Sequence, residues 1–199
     1  MPLLDDDVNV HYPRSIRLKG YDYAQAGAYF VTICTHRQDC LLGDIVDEEM
    51  VLSAYGEVAK TCFDEIPQHF PHAEVDAFVI MPNHLHGIIV ITHGSDVEAQ
   101  HAAPLREPVD GPTPGSLSTI VRSFKSASTK RINELRGEPR VPVWQRNYYE
   151  HVVRNDRDLD RIREYITTNP LKWALDRENP QRTGHSAEED ALFDLDRAP

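Results

Sequence analysis

Residues 75–81 and 84–92 are two apolar, β-branched stretches separated by only Pro82 and Asn83. A two-residue connection is too short for a crossover, so strands joined this way pair as antiparallel neighbours. That places a sheet in the middle of the chain and fixes the directions of its side chains. The second stretch opens with His84-Leu85-His86. Alternate residues of a strand point to one face, so both imidazoles project from one side and Leu85 from the other. Two neutral imidazoles so placed can grip one divalent metal. Taken alone, the spacing more often marks a hydrogen-bonded or half-buried pair than a metal site.

The elements around this hairpin follow from pattern. Residues 27–35, rich in aromatic and β-branched types, read as a strand. Residues 41–52 hold two short apolar stretches around Asp47-Glu48-Glu49, a hairpin pattern. Ser53 is placed to cap a helix over 54–66, which Pro67 and Pro71 should stop. Residues 93–115 turn polar and proline-bearing and read as a mobile surface loop. Ser116 should cap a helix to about residue 135 that buries Leu117, Ile120, Val121, Phe124 and Ile132. Residues 143–144 and 148–153 suggest a fourth strand. Asn155 or Asp156 should cap a last helix that ends at Asn169-Pro170. Helices with an antiparallel sheet make an α+β fold, ferredoxin-like or RNA-recognition-motif-like. Residues 1–173 are then one catalytic-type domain, and 174–199 an acidic, loosely held tail with an apolar patch at Leu192-Phe193.

Charge narrows the partners. The net charge is −11, which argues against indiscriminate coating of nucleic acid. Yet residues 116–173 carry 12 basic and 7 acidic side chains, a local +5. Arg122, Lys125, Lys130 and Arg131 on the predicted helix, and Arg146 and Arg154 beyond it, read by default as solvated charge. The functional reading is contact with phosphates. No apolar run approaches the roughly 20 residues of a membrane span. The start Met-Pro-Leu-Leu-Asp-Asp-Asp lacks the features of a signal peptide. Cys34, Cys40 and Cys62, odd in number and without Cys-x-x-Cys spacing, fit reduced thiols in a cytoplasm.

Tyr165 and Asn169 lie four apart near the end of the last predicted helix, so they share a face. If that helix packs on the histidine face, Asn169 could supply an oxygen ligand and Tyr165 a hydroxyl at the metal. A free tyrosine, with pKa about 10, is a poor nucleophile at neutral pH. A divalent cation helps by polarising a phosphoryl oxygen. Tyrosine, two histidines, an amide oxygen and a metal suffice for phosphodiester transesterification through a phosphotyrosine. The plain reading of a lone helical tyrosine is a core residue. Tyr148 and Tyr149 compete as nucleophiles, but neighbours in a strand point to opposite faces, so only one could face the metal. Both could instead stack on bases. His151 reads as a satisfied surface histidine, and Trp144 as core.

Pro82-Asn83-His84-Leu85-His86 resembles the histidine-hydrophobic-histidine (HUH) signature of single-stranded DNA nucleases. Three more stretches resemble the REP-associated tyrosine transposases: Gly20-Tyr21-Asp22-Tyr23, Trp144-Gln145-Arg146-Asn147-Tyr148-Tyr149-Glu150-His151, and Tyr165-Ile166-Thr167-Thr168-Asn169-Pro170. The resemblance covers about residues 12–173. It implies a ferredoxin-like fold, Mg²⁺ or Mn²⁺ on His84 and His86, a metal-assisting amide at Asn169 and the nucleophile at Tyr165. It further implies a homodimer that cleaves single-stranded DNA at hairpin-forming repeats, leaving a 5′-phosphotyrosine and a free 3′-OH. The competing expectation is a domesticated hairpin DNA- or RNA-binding protein that does not cut, which would suit the net acidity. A small-molecule metal hydrolase ranks below both, because the chain is short of the roughly 250 residues of a (β/α)₈ barrel and lacks its alternating units.

Overall fold

A computed structural model describes residues 23–92 and 113–194. Of the stretches discussed above, Gly20-Tyr21-Asp22, residues 93–112 of the expected loop and the last five residues lie outside the described residues. The elements are β1 (Gly27–Cys34), β2 (Gly43–Val46), β3 (Glu49–Leu52), α1 (Ala54–Asp64), α2 (Ile66–His69), β4 (Ala73–Met81), β5 (His84–Ile91), α3 (Leu117–Arg136), β6 (Tyr149–Val153), α4 (Asp156–Thr168) and α5 (Ala187–Asp194), with a 3-10 segment at Pro170–Leu175. Ser53 caps α1 through its hydroxyl, and Asn155 caps α4 through its amide oxygen. Pro67 does not end helical structure as expected; it sits in the first turn of α2, where its missing N–H is not needed.

The main sheet has the order β4-β5-β1-β6 with every neighbour antiparallel. That is the ferredoxin-like arrangement, and β2 and β3 form a separate two-stranded hairpin. Met81 pairs with His84 across the Pro82-Asn83 turn, as a two-residue connection requires. The segment at Trp144 joins the sheet only through a bridge to Thr35, so the fourth strand begins at Tyr149.

Both sheet faces are covered. On one, Leu85, Ile89, Val31 and Ile33 pack with Phe63 of α1 and with Leu117, Ile120, Phe124 and Ile132 of α3. On the other, Phe30, Ile88 and Tyr149 pack with Ile162, Tyr165 and Ile166 of α4 and Leu192 and Phe193 of α5. The Arg163 guanidinium of α4 grips both carboxylate oxygens of Asp76 on the edge strand β4, at 2.8 and 2.5 Å, and pins the helix over this second face. The expectation of a loose tail after residue 173 is therefore corrected. Residues up to Phe193 form part of the second layer, because Leu192 and Phe193 bury against the sheet.

Gly87 is required by close packing. A Cβ there would lie 2.6 Å from Cζ and 2.8 Å from Cε1 of Phe63, which is fully buried and cannot swing away. Gly87→Ala should destabilise the fold by roughly 1–3 kcal/mol through overpacking. A thermal midpoint equal to that of the parent would refute this account.

Candidate metal and nucleophile site

His84 and His86 leave β5 on the face covered by α4, paired across the sheet with Cys34 and Thr32 of β1. Both are fully buried. Their Nε2 atoms are 3.0 Å apart. Ligand atoms in adjacent positions of one ion, each about 2.1 Å from it, stand at this separation.

The outer nitrogens are held from behind. Asn83 donates its amide N–H groups to the carbonyls of Gln38 (3.2 Å) and Glu178 (2.6 Å), so its Oδ1 is the acceptor. His84 Nδ1, 2.9 Å from that oxygen, must then donate to it, so Nε2 is the nitrogen that faces the centre. His86 Nδ1 is 2.8 Å from the Thr32 hydroxyl. Burial first, then His84 and Arg177, hold the His86 pKa well below the ordinary imidazole value, so it is neutral at physiological pH and suited to ligation.

A third ligand type comes from the segment after α4. Asp176 Oδ2 stands 3.7 Å from His84 Nε2, and the ligand atoms of His84, His86 and Asp176 all lie within 4.8 Å of one another. This carboxylate oxygen is buried and accepts no hydrogen bond, and the same is true of Asn169 Oδ1. Buried oxygens left unpaired are costly. Together with two inward-facing imidazoles they make a donor set that fits a divalent cation. Asn169 continues the helical backbone one residue past α4, four residues from Tyr165 as expected. Asp176 was missed by sequence reasoning because it falls in the stretch taken as tail.

Tyr165 Oη lies 3.1 Å from His86 Nε2 and donates to Glu189 Oε1 of α5 at 3.3 Å. Its ring packs edge-on against Phe30 and Phe193. Burial, and then the carboxylates of Asp176 and Glu189, push its pKa well above 10. Without added positive charge this hydroxyl keeps its proton.

Glu189 is itself pushed up to about 7, by burial and by Asp176 beside it, although two backbone contacts from Arg177 N at 3.1 Å oppose the shift. A folded value above the ordinary 4.5 means the neutral form is favoured in the native state. The stability contribution is present below the unfolded value and is lost as pH rises through about 7. Glu189→Gln should therefore melt higher than the parent at pH 8, and the gap should close near pH 4. Melting curves at the two pH values check this; a gap of equal size at both would sink it.

No family profile matches the chain. An uncharacterized protein of Haemophilus influenzae is 41% identical over 176 residues, which are 85% of this chain and 94% of that protein. A second Haemophilus influenzae protein, provisionally named a REP-associated tyrosine transposase, is 29% identical over 153 residues, 76% of this chain and 74% of its own. The fold is shared with a solved REP-associated tyrosine transposase bound to a REP hairpin, at a TM-score of 0.52 and 22% identity, over 78% of this chain and 73% of that one. In sequence and fold, the chain is therefore similar to REP-associated tyrosine transposases.

The remaining residues singled out from sequence scatter. Tyr148 and Tyr149 point to opposite faces as alternation requires: Tyr148 enters the core under α3, and Tyr149 the core under α4 and α5. His151, expected at the surface, is buried and bonded to Asp158 Oδ2 at 2.9 Å, because β6 faces the start of α4 there. Arg131 is held by Glu65 at 2.8 Å and Lys130 lies 4.0 Å from Glu134, so neither is free for a phosphate without exchange of partners. Lys125 is half-buried and donates to the carbonyls of Gln145 and Asn147. Arg122, Arg146 and Arg154 are exposed. No helix among the described residues is long and apolar enough to cross a membrane.

Proposed function

We propose that this protein is a metal-dependent, single-tyrosine transposase. It would nick single-stranded DNA at hairpin-forming repeats and hold the broken strand as a 5′-phosphotyrosine. The observation that carries the reading is the approach of Tyr165 Oη to His86 Nε2 at 3.1 Å, beside a second imidazole and an unpaired carboxylate oxygen. The relative bound to a REP hairpin supports DNA as the partner.

His84, His86, Asp176 and Asn169 would hold the ion. Bound there, Mg²⁺ or Mn²⁺ would polarise a phosphoryl oxygen and offset charge in the transition state; the imidazoles favour Mn²⁺ of the two. Asn83 and Thr32 keep the imidazole Nε2 atoms aimed inward. Tyr165 would supply the attacking oxygen: its O–H bond breaks, the Oη–P bond forms, the P–O3′ bond breaks, and the departing O3′ takes up a proton in place of the one the phenol loses, leaving a 3′-OH. Phe30 and Phe193 hold the ring so that Oη stays near the centre. Arg122, Lys125, Lys130, Arg131, Arg146, Tyr148, Tyr149 and Arg154 are the proposed DNA-contacting set, of which the exposed arginines are ready as they stand.

The described residues act in this reading as one catalytic unit, in the cytoplasm, where the three free cysteines would stay reduced. The homodimer implied by the resemblance would add DNA-binding surface rather than complete the centre, since Tyr165 meets His86 within one chain.

The test is a labelled DNA hairpin with single-stranded tails, mixed with the protein and Mn²⁺ or with EDTA. A metal-dependent, SDS-resistant adduct is expected. The second reading, hairpin binding without cleavage, is favoured by the closure of the centre: both histidines are fully buried, and Leu192 and Phe193 pack over Tyr165. Hairpin binding that survives EDTA with no adduct in any metal would establish that reading and remove the first.

A further inference from the structure

A cavity of about 550 Å³ lies between the first turns of α3 and the stretch before β6, on the opposite side of the sheet from the histidines. Its wall is apolar and aromatic, made by Val121 and the ring of Tyr148, both in the core under α3. Two arginines, Arg122 and Arg146, stand exposed at its mouth.

The state of these arginines sets them apart. The other cations of α3 are already engaged: Lys130 with Glu134, Arg131 with Glu65, Arg136 with Asn133 and the Val141 carbonyl. Lys125 is bonded to two carbonyls, with its Nζ 5.4 Å above the Tyr148 ring. Among the described residues, no ion pair or hydrogen bond engages the guanidinium of Arg122 or Arg146. Two bare guanidiniums converge on one cavity in a chain of net charge −11, where carboxylates are plentiful.

We propose that this cavity is a subsite for one unpaired nucleobase of the DNA, with the flanking phosphates on Arg122 and Arg146. The inference rests on the reading of the protein as a DNA-nicking enzyme. The volume falls within the range of small-molecule sites, roughly 300–1,000 Å³, and leaves room for a nucleobase. An aromatic and aliphatic wall suits the flat face of a base whatever its identity. Planar guanidiniums pair with phosphate through two parallel hydrogen bonds. The position also fits. Tyr148 immediately precedes β6, the outer strand of the sheet, and Tyr149, the next residue, faces the side where the metal and nucleophile site lies.

The experiment uses the full-length protein and a fluorescein-labelled DNA hairpin with single-stranded tails, with 2-aminopurine placed at one unpaired position at a time. On binding, one position should brighten as its base leaves the stack. Ser118→Trp fills the cavity from a half-exposed position of α3. It should abolish that rise and raise the Kd about tenfold, the effect of losing one base–aromatic stack. Arg122→Ala and Arg146→Ala should each weaken binding and lower the slope of log K against log salt by about 1.

The proposal is overturned if the parent binds the hairpin but all three variants keep its Kd and salt slope, or if no position brightens. It is also overturned if RNA of the same sequence binds as tightly, or if a free deoxynucleotide competes at micromolar concentration. A parent that binds no hairpin at all sinks the transposase reading and this subsite with it, a result distinct from intact binding with silent variants.

Discussion

Tyr165→Phe should abolish the covalent adduct while leaving the protein folded and able to bind hairpin DNA and Mn²⁺. The substitution removes one oxygen and keeps the ring that packs against Phe30 and Phe193. The hydrogen bonds lost run to His86 and Glu189, and Glu189 keeps its contacts to the Arg177 backbone. The change in stability should therefore stay within about 1 kcal/mol. Adduct yield should fall by roughly 10³-fold or more, the scale of losing a covalent nucleophile. A denaturing gel of the labelled hairpin reads the adduct, and a melt with Mn²⁺ reads the rest. If Tyr165→Phe still forms the adduct, the attacking oxygen belongs to another side chain. Tyr149, on the same sheet face, is the next to replace.

Asp176→Asn should separate metal binding from folding. The carboxylate oxygen nearest His84 accepts no hydrogen bond, and the other is held by the Glu178 amide at 2.7 Å. Asparagine keeps the acceptor and removes the charge. Mn²⁺ affinity should fall by roughly 100-fold or more, at least the top of the 10–100-fold range for groups that only orient a ligand, because the carboxylate proposed to hold the ion is itself altered. Adduct formation should fall with it and recover in part at high Mn²⁺. The metal-free protein should melt no lower than the parent, since Asp176 is one of the charges that raise the pKa values of Tyr165 and Glu189. Manganese titration followed by spin resonance decides the matter. Unchanged affinity would mean that His84, His86 and Asn169 bind the ion without the carboxylate.

Much of this is legible in the sequence. The two-residue turn dictated an antiparallel pair, and alternation along β5 placed both imidazoles on one face. The four-residue spacing of Tyr165 and Asn169 put both on the buried side of α4. These are local rules, set by the strand and helix periods, and they hold whatever lies across the core. The apolar stripe of α3 was legible for the same reason.

What stayed hidden depends on contacts between residues far apart in the chain. Asp176 and Glu189 sit in a polar, acidic stretch whose composition reads as tail. Their burial becomes favourable only because Leu192 and Phe193 find an apolar partner in Phe30 and Tyr149 on the sheet. His151 looked like a surface residue until β6 was laid beside the start of α4 and Asp158. Arg131 and Arg122 are alike in sequence. Only the packing of α3 on α1 gives one a carboxylate partner and leaves the other bare at a cavity mouth.

By itself, then, the sequence determined the sheet, the face of the histidine pair and the phase of the tyrosine helix, because backbone periodicity carries that information residue by residue. The tertiary structure alone decided which oxygens stand beside the imidazoles, which carboxylate meets the tyrosine and which cations lack a partner among the described residues. Those outcomes turn on distances of 3–4 Å between segments whose approach no local pattern encodes.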